Sequence, residues 1–213
     1  LVAGVVYRHP GVLVKTATTL DVLAGGRTSF AVGAAWYGRE ARGLGVPFPP
    51  EPERFDRLEE TLRIAHHLWQ DTRGPFEGLH YRLTEPIVSP LPLSRPHPPI
   101  MIGGNGERRT LRLVAQYGDA CNLLVLDPPE IPAKLDALRR HCDDLGRPYE
   151  AIERTCLNEL GRNPSETPRD VIAFLRALSQ TGIQHVIINL PNAHELTPLE
   201  VYGHEVIPAV AEL

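Results

Sequence analysis

The chain has 213 residues, 42% of them hydrophobic and 23% charged, which is enough to build one sizeable core without a second domain. Twenty-two basic side chains stand against 26 acidic ones, a net charge of −4 that argues against a nucleic-acid or membrane-surface partner. No apolar run nears the ~20 residues of a membrane span. The first residues lack a basic segment followed by an apolar one, so the cytoplasm is the expected location. In chain order, Leu1 to Val6 reads as an apolar strand. Pro10 to Leu23 reads as a helix with Val12, Leu13, Thr16, Leu20 and Leu23 on its buried side, stopped by Gly25-Gly26. Thr28 to Ala35 is a β-rich run. After a loop, Pro49-Pro50 introduces a helix from about Glu53 to Gln70, with Phe55, Leu58, Leu62, Ala65 and Trp69 at spacings of three and four. Gly74 to Pro99 departs from this alternation. It holds a short hairpin around Phe76 to Tyr81 and then a proline-rich stretch that reads as a covering loop.

The next segment declares a ligand. Ile100, Met101 and Ile102 form a continuous apolar run, as in a strand covered on both faces. Gly103, Gly104 and Gly106 let the backbone turn and present bare N–H groups, and Leu111, Val114 and Tyr117 mark one face of the helix that follows. Unpaired N–H groups and the positive end of a helix dipole favour an anion there, and Arg108 and Arg109 add positive charge. An ordinary strand-to-helix turn shows the same glycines, and local sequence leaves both readings open. Asp119 to Leu126 is a strand, followed by a helix from about Pro129 to Leu145 with Gly146 as its stop. Ile152 to Leu157 is a weaker strand. Thr167-Pro168 supplies an N-cap and first-turn proline for a helix closed by Gly182. Gln184 to Leu190 reads as a clear buried strand, with a last helix running to the C-terminus.

Six strands each followed by a helix mean a parallel sheet, either open and doubly wound or closed into a barrel. No GxGxxG follows the first strand and no GxxxxGK[ST] occurs, so the usual nucleotide fingerprints are absent. A barrel fits better, because the unusual residues follow strands: Tyr7-Arg8-His9, Gly33 to Tyr37, and Gly103-Gly104-Asn105. The expectation is an α/β (β/α)8 barrel as a single domain over residues 1–213, with the insertion at 74–99. It lacks two β-α units, about 60 residues, before Leu1. His66-His67 have no third ligand at metal spacing and HExxH is absent. Cys121, Cys142 and Cys156 are odd in number and far apart, so no metal site or disulfide framework is expected.

Several segments together carry a resemblance: Val5 to Pro10, Thr19 to Arg27, Val32 to Trp36, Arg54 to Glu60, Pro98 to Gly104 and Ala115 to Ala120. In this order they resemble the luciferase-like monooxygenase superfamily, and more narrowly its deazaflavin-dependent oxidoreductase branch. The resemblance implies a (β/α)8 barrel matched from its third strand onward. It implies reduced FMN or the deazaflavin coenzyme F-420 at the C-terminal mouth, with the cofactor phosphate over Gly103, Gly104, Asn105 and Gly106. Ala3 and Gly4 fall in the strand that in this family holds a bulge and a non-prolyl cis peptide behind the ring. Gly33 and Ala34 match small residues beside the ring plane or substrate, and plain packing explains them equally.

Trp36 stands where some members place a carboxylate proton donor, and an indole cannot do that work. Tyr37, Glu40 or His9, or the β-α units absent before Leu1, are left to supply the acid. Trp36 also reads as an aromatic wall, Glu40 as a solvated charge, and Arg8 and His9 as a helix start. Asn122 reaches the phosphate from the neighbouring strand end, or is a buried amide satisfied by backbone. The implied activity is hydride transfer to or from a small organic substrate held under the 74–99 loop, in a homodimer. An FMN-dependent monooxygenase and a non-catalytic flavin-binding or structural barrel are the alternatives. A phosphosugar-processing barrel lacks its expected lysine or paired carboxylates.

Overall fold

The computed structural model describes residues 1–70, 74–124, 127–159, 167–190, 193–211 and 213. They gather into two units, one of Leu1–Gly103 with Gln116–Asp119 and one of Gly104–Ala115 with Ala120–Leu213.

In the first unit, β1 is only Ala3–Gly4. It is shorter than the apolar run predicts because the chain turns after Gly4, whose carbonyl accepts the Tyr7 N–H at 3.1 Å. Helix α1, Pro10–Leu23, starts on Pro10 with His9 as N-cap, the imidazole accepting the Gly11 N–H. Its bounds match the prediction but its buried face does not. Pro10, Leu13, Val14, Thr18 and Asp21 are buried, whereas Val12, Leu20 and Leu23 are 61%, 52% and 78% exposed. The helix turns Thr18 and Asp21 inward because each finds partners there. Thr18 Oγ1 accepts the Trp69 indole N–H at 2.9 Å, and Asp21 accepts from Thr28, Leu93 and Ser94. Hydrophobic periodicity cannot register such a trade. After β2, Phe30–Gly33, the expected loop contains a short helix α2, Gly38–Gly43. The long helix α3, Glu51–Trp69, buries Leu58, Leu62, Ile64, Ala65, Leu68 and Trp69, each fully buried aliphatic side chain contributing about 1.5–3 kcal/mol.

The 74–99 segment begins with the hairpin of β3, Phe76–Glu77, and β4, Arg82–Leu83, paired Phe76 to Leu83. It covers the flanks of α1 and α3. The buried Glu60 carboxylate of α3 accepts backbone N–H groups from Leu79, His80 and Tyr81 at 2.6–3.1 Å. A side chain at Gly78 would collide with that carboxylate. Further on, Leu93 and Ser94 donate to Asp21 of α1. The chain then enters β5, Ile100–Gly103, which pairs in parallel with β2, as β2 does with β1. Phe30, Val32, Ile100 and Ile102 are buried together with the inner face of α3.

The second unit holds the same alternation. Helix α4 is Thr110–Tyr117, of which Thr110–Ala115 belong to this unit. Strands β6, Ala120–Leu124, β7, Glu153–Asn158, and β8, His185–Ile188, run parallel, β6 to β7 to β8. The predicted end at Leu145 of the helix between β6 and β7 holds, while its start moves from about Pro129 to Ile131. This helix, α5, Ile131–Leu145, follows a 3-10 turn capped by Asp127 and stops at Gly146, left-handed at φ 66°. Helix α6, Pro168–Gln180, opens on a Thr167–Asp170 capping box. Two expectations fail. β8 is exposed at His185 and only half-buried beyond it, because it pairs only with β7 among the described residues. The single last helix is instead α7, Thr197–Val201, a π turn at Tyr202–Val206, and α8, Ile207–Val210. Pro208 has no N–H to donate backward, which breaks the α pattern just before it. The strand predicted from Asp119 runs on to Leu126, but Val125 and Leu126 lie outside the described residues.

Candidate functional site

The strand ends of the first unit gather most of the predicted ring-side residues. Ala3, Gly4 and Ala34 are half-buried and Gly33 is buried. The peptide bond between Leu1 and Val2 is cis, within the segment where the resemblance places one. Val2 lies over two glycines: a Cβ at Gly33 or Gly103 would come within 3.0 or 2.9 Å of its Cγ2. A Cβ at Gly4 would meet Ala35 at 3.0 Å and the Tyr7 ring at 3.1 Å. These glycines therefore make room for the protein's own side chains.

Ala35 has φ 63°, a left-handed conformation that costs a non-glycine residue about 1–2 kcal/mol. It turns the chain out of β2 and into α2. Arg54 braces this exit, donating to the carbonyls of Ala34 at 3.2 Å and Pro49 at 2.8 Å with its guanidinium over Phe48. Beyond the turn, Trp36 is 79% exposed and Tyr37 is exposed, their rings 5.1 Å apart and tilted. Glu40 on α2 accepts a hydrogen bond from the Tyr7 hydroxyl at 2.9 Å. Partial burial and then the bond to Glu40 hold the Tyr7 phenol above its ordinary pKa. His9 is committed to its cap and to an edge contact with Tyr81. The structure thus brings Glu40 to Tyr7, and sets Trp36 against Tyr37. Sequence alone does not single out Tyr7 as an acid–base candidate, although its position directly after β1 is a signal.

The glycine turn lies in the second unit from Gly104 onward. Gly104, at φ 137°, donates its N–H to the Asn122 carbonyl at 3.0 Å. Asn105 spends its whole side-chain amide on Leu124, accepting that N–H at 2.7 Å and donating to that carbonyl at 2.8 Å. A Cβ at Gly106 would come within 2.9 Å of Thr110 Oγ1. The backbone N–H groups of Asn105 and Gly106 have no acceptor among the described residues. The helix begins at Thr110, later than the glycines suggest, because Glu107 to Arg109 form a further turn first. Asn122 itself is fully buried. Its amide donates to Thr155 Oγ1 at 2.8 Å, and Thr155 donates in turn to the Cys121 carbonyl. Asn122 serves the turn through its main chain, while its side-chain Oδ1 is buried and has no hydrogen-bond partner among the described residues.

The one carboxylate of the turn, Glu107, is paired with Lys134 of α5 at 2.8 Å. That bond and the lysine charge hold its acid below the usual carboxylate range. Nε2 of His141, also on α5, lies 2.8 Å from the Glu107 carbonyl. The carbonyl can only accept, so the imidazole carries its proton on Nε2. Cys121, Cys142 and Cys156 are buried and free. Burial pushes the Cys121 and Cys156 thiols up to about 11, which makes them inert at neutral pH. No group of three or more His, Cys, Asp or Glu side chains suited to a metal occurs among the described residues.

Known proteins share this arrangement of strands and turns. A family model described as luciferase-like monooxygenase matches residues 2–179. An F420-dependent glucose-6-phosphate dehydrogenase of Microbacterium testaceum is 27% identical over 186 residues, 86% of this chain and 54% of that protein. An FMNH(2)-dependent dimethylsulfone monooxygenase of Pseudomonas putida is 35% identical over 98 residues, 46% of this chain and 27% of that protein. The chain spans about half or less of the length of these two relatives. Among solved structures, an F420-dependent secondary alcohol dehydrogenase superposes with a TM-score of 0.84 at 18% identity, covering 98% of this chain and 78% of that one. That likeness shows the fold, an α/β architecture of the luciferase-like TIM-barrel type.

Proposed function

Because the chain belongs to the luciferase-like monooxygenase family, we propose that it is an oxidoreductase working with a bound deazaflavin, coenzyme F-420, or with FMN. The observation that carries this reading is the glycine turn, whose Asn105 and Gly106 N–H groups lack acceptors among the described residues while its only carboxylate is neutralised. Such a turn fits a phosphate, which both cofactors possess. The bound group supplies hydride transfer to or from a small organic substrate; the protein positions it and shapes the surroundings. Asn105 and Gly106 bind the phosphate through main-chain N–H groups, with Gly103 and Gly104 giving the turn its shape. For the ring side the candidates lie in the first unit: Ala3 and Ala34, with Gly4 and Gly33 kept small to seat Tyr7, Ala35 and Val2, and Trp36 and Tyr37 as an aromatic wall. Glu40 with Tyr7 holds the proton that accompanies the hydride.

Deazaflavin is preferred because the F420-dependent relative aligns along 86% of the chain, against 46% for the FMNH(2)-dependent one. The higher identity of the latter, 35%, supports the second reading, an FMN-dependent monooxygenase. A homodimer in the cytoplasm completes the proposal; no helix among the described residues is long and apolar enough to cross a membrane. The test is a fluorescence titration of the purified chain with both cofactors. Saturable binding of one at micromolar concentration is expected, and failure of both would leave a non-catalytic barrel. Oxygen-dependent consumption of the reduced cofactor would select the monooxygenase, and oxygen-independent turnover the hydride-transfer enzyme.

A further inference from the structure

We propose that Lys134 and His141 of α5 turn the Gly104–Arg109 segment into a phosphate-selective site, Lys134 by cancelling Glu107 and His141 by holding the segment through the Glu107 carbonyl. This rests on the functional reading above and extends it to residues that make no contact with the cofactor.

Electrostatics carries the case. A turn that offers main-chain N–H groups to a dianion is weakened by any carboxylate beside it, and Glu107 follows Gly106 directly. Glu107 is 45% exposed at its side chain and Lys134 24%. An ion pair this open to water adds little to folding stability, so stability is a poor reason for placing the lysine there. Its charge matters more to a ligand. Lys134 Nζ sits 2.8 Å from Glu107 Oε1, cancelling the acid, and the Arg140 charge on the same helix acts on Glu107 in the same sense. About two turns along α5, His141 donates to the Glu107 carbonyl at 2.8 Å. The main chain is thereby held at the residue that follows the two N–H groups without acceptors among the described residues. On the other side, the Asn105 amide is clamped to Leu124. The segment is fixed at both flanks, and its charge is balanced from one helix.

The experiment compares a cofactor with its phosphate-free form: FMN with riboflavin, or the deazaflavin coenzyme with its phosphate-free chromophore, whichever the wild-type chain binds. Wild type should prefer the phosphorylated form. Lys134→Ala uncovers Glu107 and should weaken binding of the phosphorylated form about tenfold, as expected for a unit charge several ångströms away near a protein surface. The phosphate-free form should be unaffected. Lys134→Ala with Glu107→Gln should restore the wild-type preference. Glu107→Gln alone, which keeps Lys134 and does not depend on the other variant folding, should bind the phosphorylated form at least as well as wild type. His141→Ala should reduce the preference without altering its salt dependence, whereas Lys134→Ala changes both.

Equal losses for both forms in Lys134→Ala, absence of rescue by Glu107→Gln, or weaker phosphate binding in Glu107→Gln alone would overturn the inference while leaving the functional reading intact. A wild-type chain that binds neither cofactor would instead sink the functional reading, and this inference with it.

Discussion

In sequence, the strand ends of the first unit resemble the glycine turn of the other unit, since both are small residues after a buried strand. Their structures use smallness differently. At Gly4, Gly33 and Gly103 the missing side chain makes room for Tyr7, Ala35 and Val2. At Gly104 to Gly106 the backbone turns and leaves the N–H groups of Asn105 and Gly106 without acceptors among the described residues. A glycine can therefore mark space that the protein fills itself or polarity that it leaves for a ligand. In the first unit even a buried carboxylate, Glu60, is spent on holding backbone; beside the turn, a carboxylate is cancelled by a lysine.

That contrast is open to direct attack. The largest effect is expected from Glu60→Ala, which strips a charged acceptor from the N–H groups of Leu79, His80 and Tyr81. It should cost about 2–3 kcal/mol and speed amide exchange at those three residues, with cofactor preference unchanged. Protection that persists at all three would show that Glu60 is not what holds the hairpin.

Next is Gly33→Ala, whose new Cβ presses on Val2 and should cost about 1–2 kcal/mol, read as a fall in melting temperature. Adding Val2→Ala should recover most of it. If the double variant is no more stable than the single one, Gly33 is kept small for another reason. Asn105→Ala probes the other region: losing two hydrogen bonds to Leu124 should cost about 1–2 kcal/mol, and it should also weaken the phosphorylated cofactor more than its phosphate-free form. Equal weakening of both would count against the turn as a phosphate site.

Alkaline titration separates the units by chemistry. Burial raises Cys121 and Cys156, which lie with the turn, to about 11 from an ordinary value of 9.0, and the first unit's Tyr117 to about 12 from 10.0. Above 9 the unfolded chain releases thiol protons that the folded chain keeps. The stability these groups contribute is thus complete below pH 9 and is lost as pH rises through 11. Urea midpoints should fall over that interval, and fall less in a Cys121→Ala, Cys156→Ala variant; identical curves would refute the assignment.

The smallest effect is at Glu40→Gln. Burial is the larger cause of the raised Tyr7 pKa, with Glu40 next. The phenol should move only part of the way back toward 10, as followed by phenolate absorbance with little change in stability. No movement would dissolve the Tyr7–Glu40 pair as a proton-holding unit.

Much of this was legible in the residues. The ends of α1, α5 and α6 follow from local rules, a proline after a cap or a left-handed glycine stop, and those rules act within a few residues. Strand order along the chain and the turn after Ile102 were equally visible. The inner face of α1 was not, because Thr18 and Asp21 are buried by partners from Trp69, Thr28, Leu93 and Ser94, residues up to 73 positions away. Tyr7 and Glu40 lie 33 positions apart, so nothing local joins them. The spent amide of Asn105 and the burial of the Asn122 side chain also depend on neighbours from other strands.

By itself, then, the sequence determined the β-α alternation, the family and the glycine turn, since hydrophobic period, capping and backbone freedom are properties of short segments. Only the tertiary structure decided which glycines are filled and which N–H groups lack acceptors among the described residues, and that Lys134 and His141 attend the turn. Those outcomes turn on which distant side chains arrive within hydrogen-bonding distance.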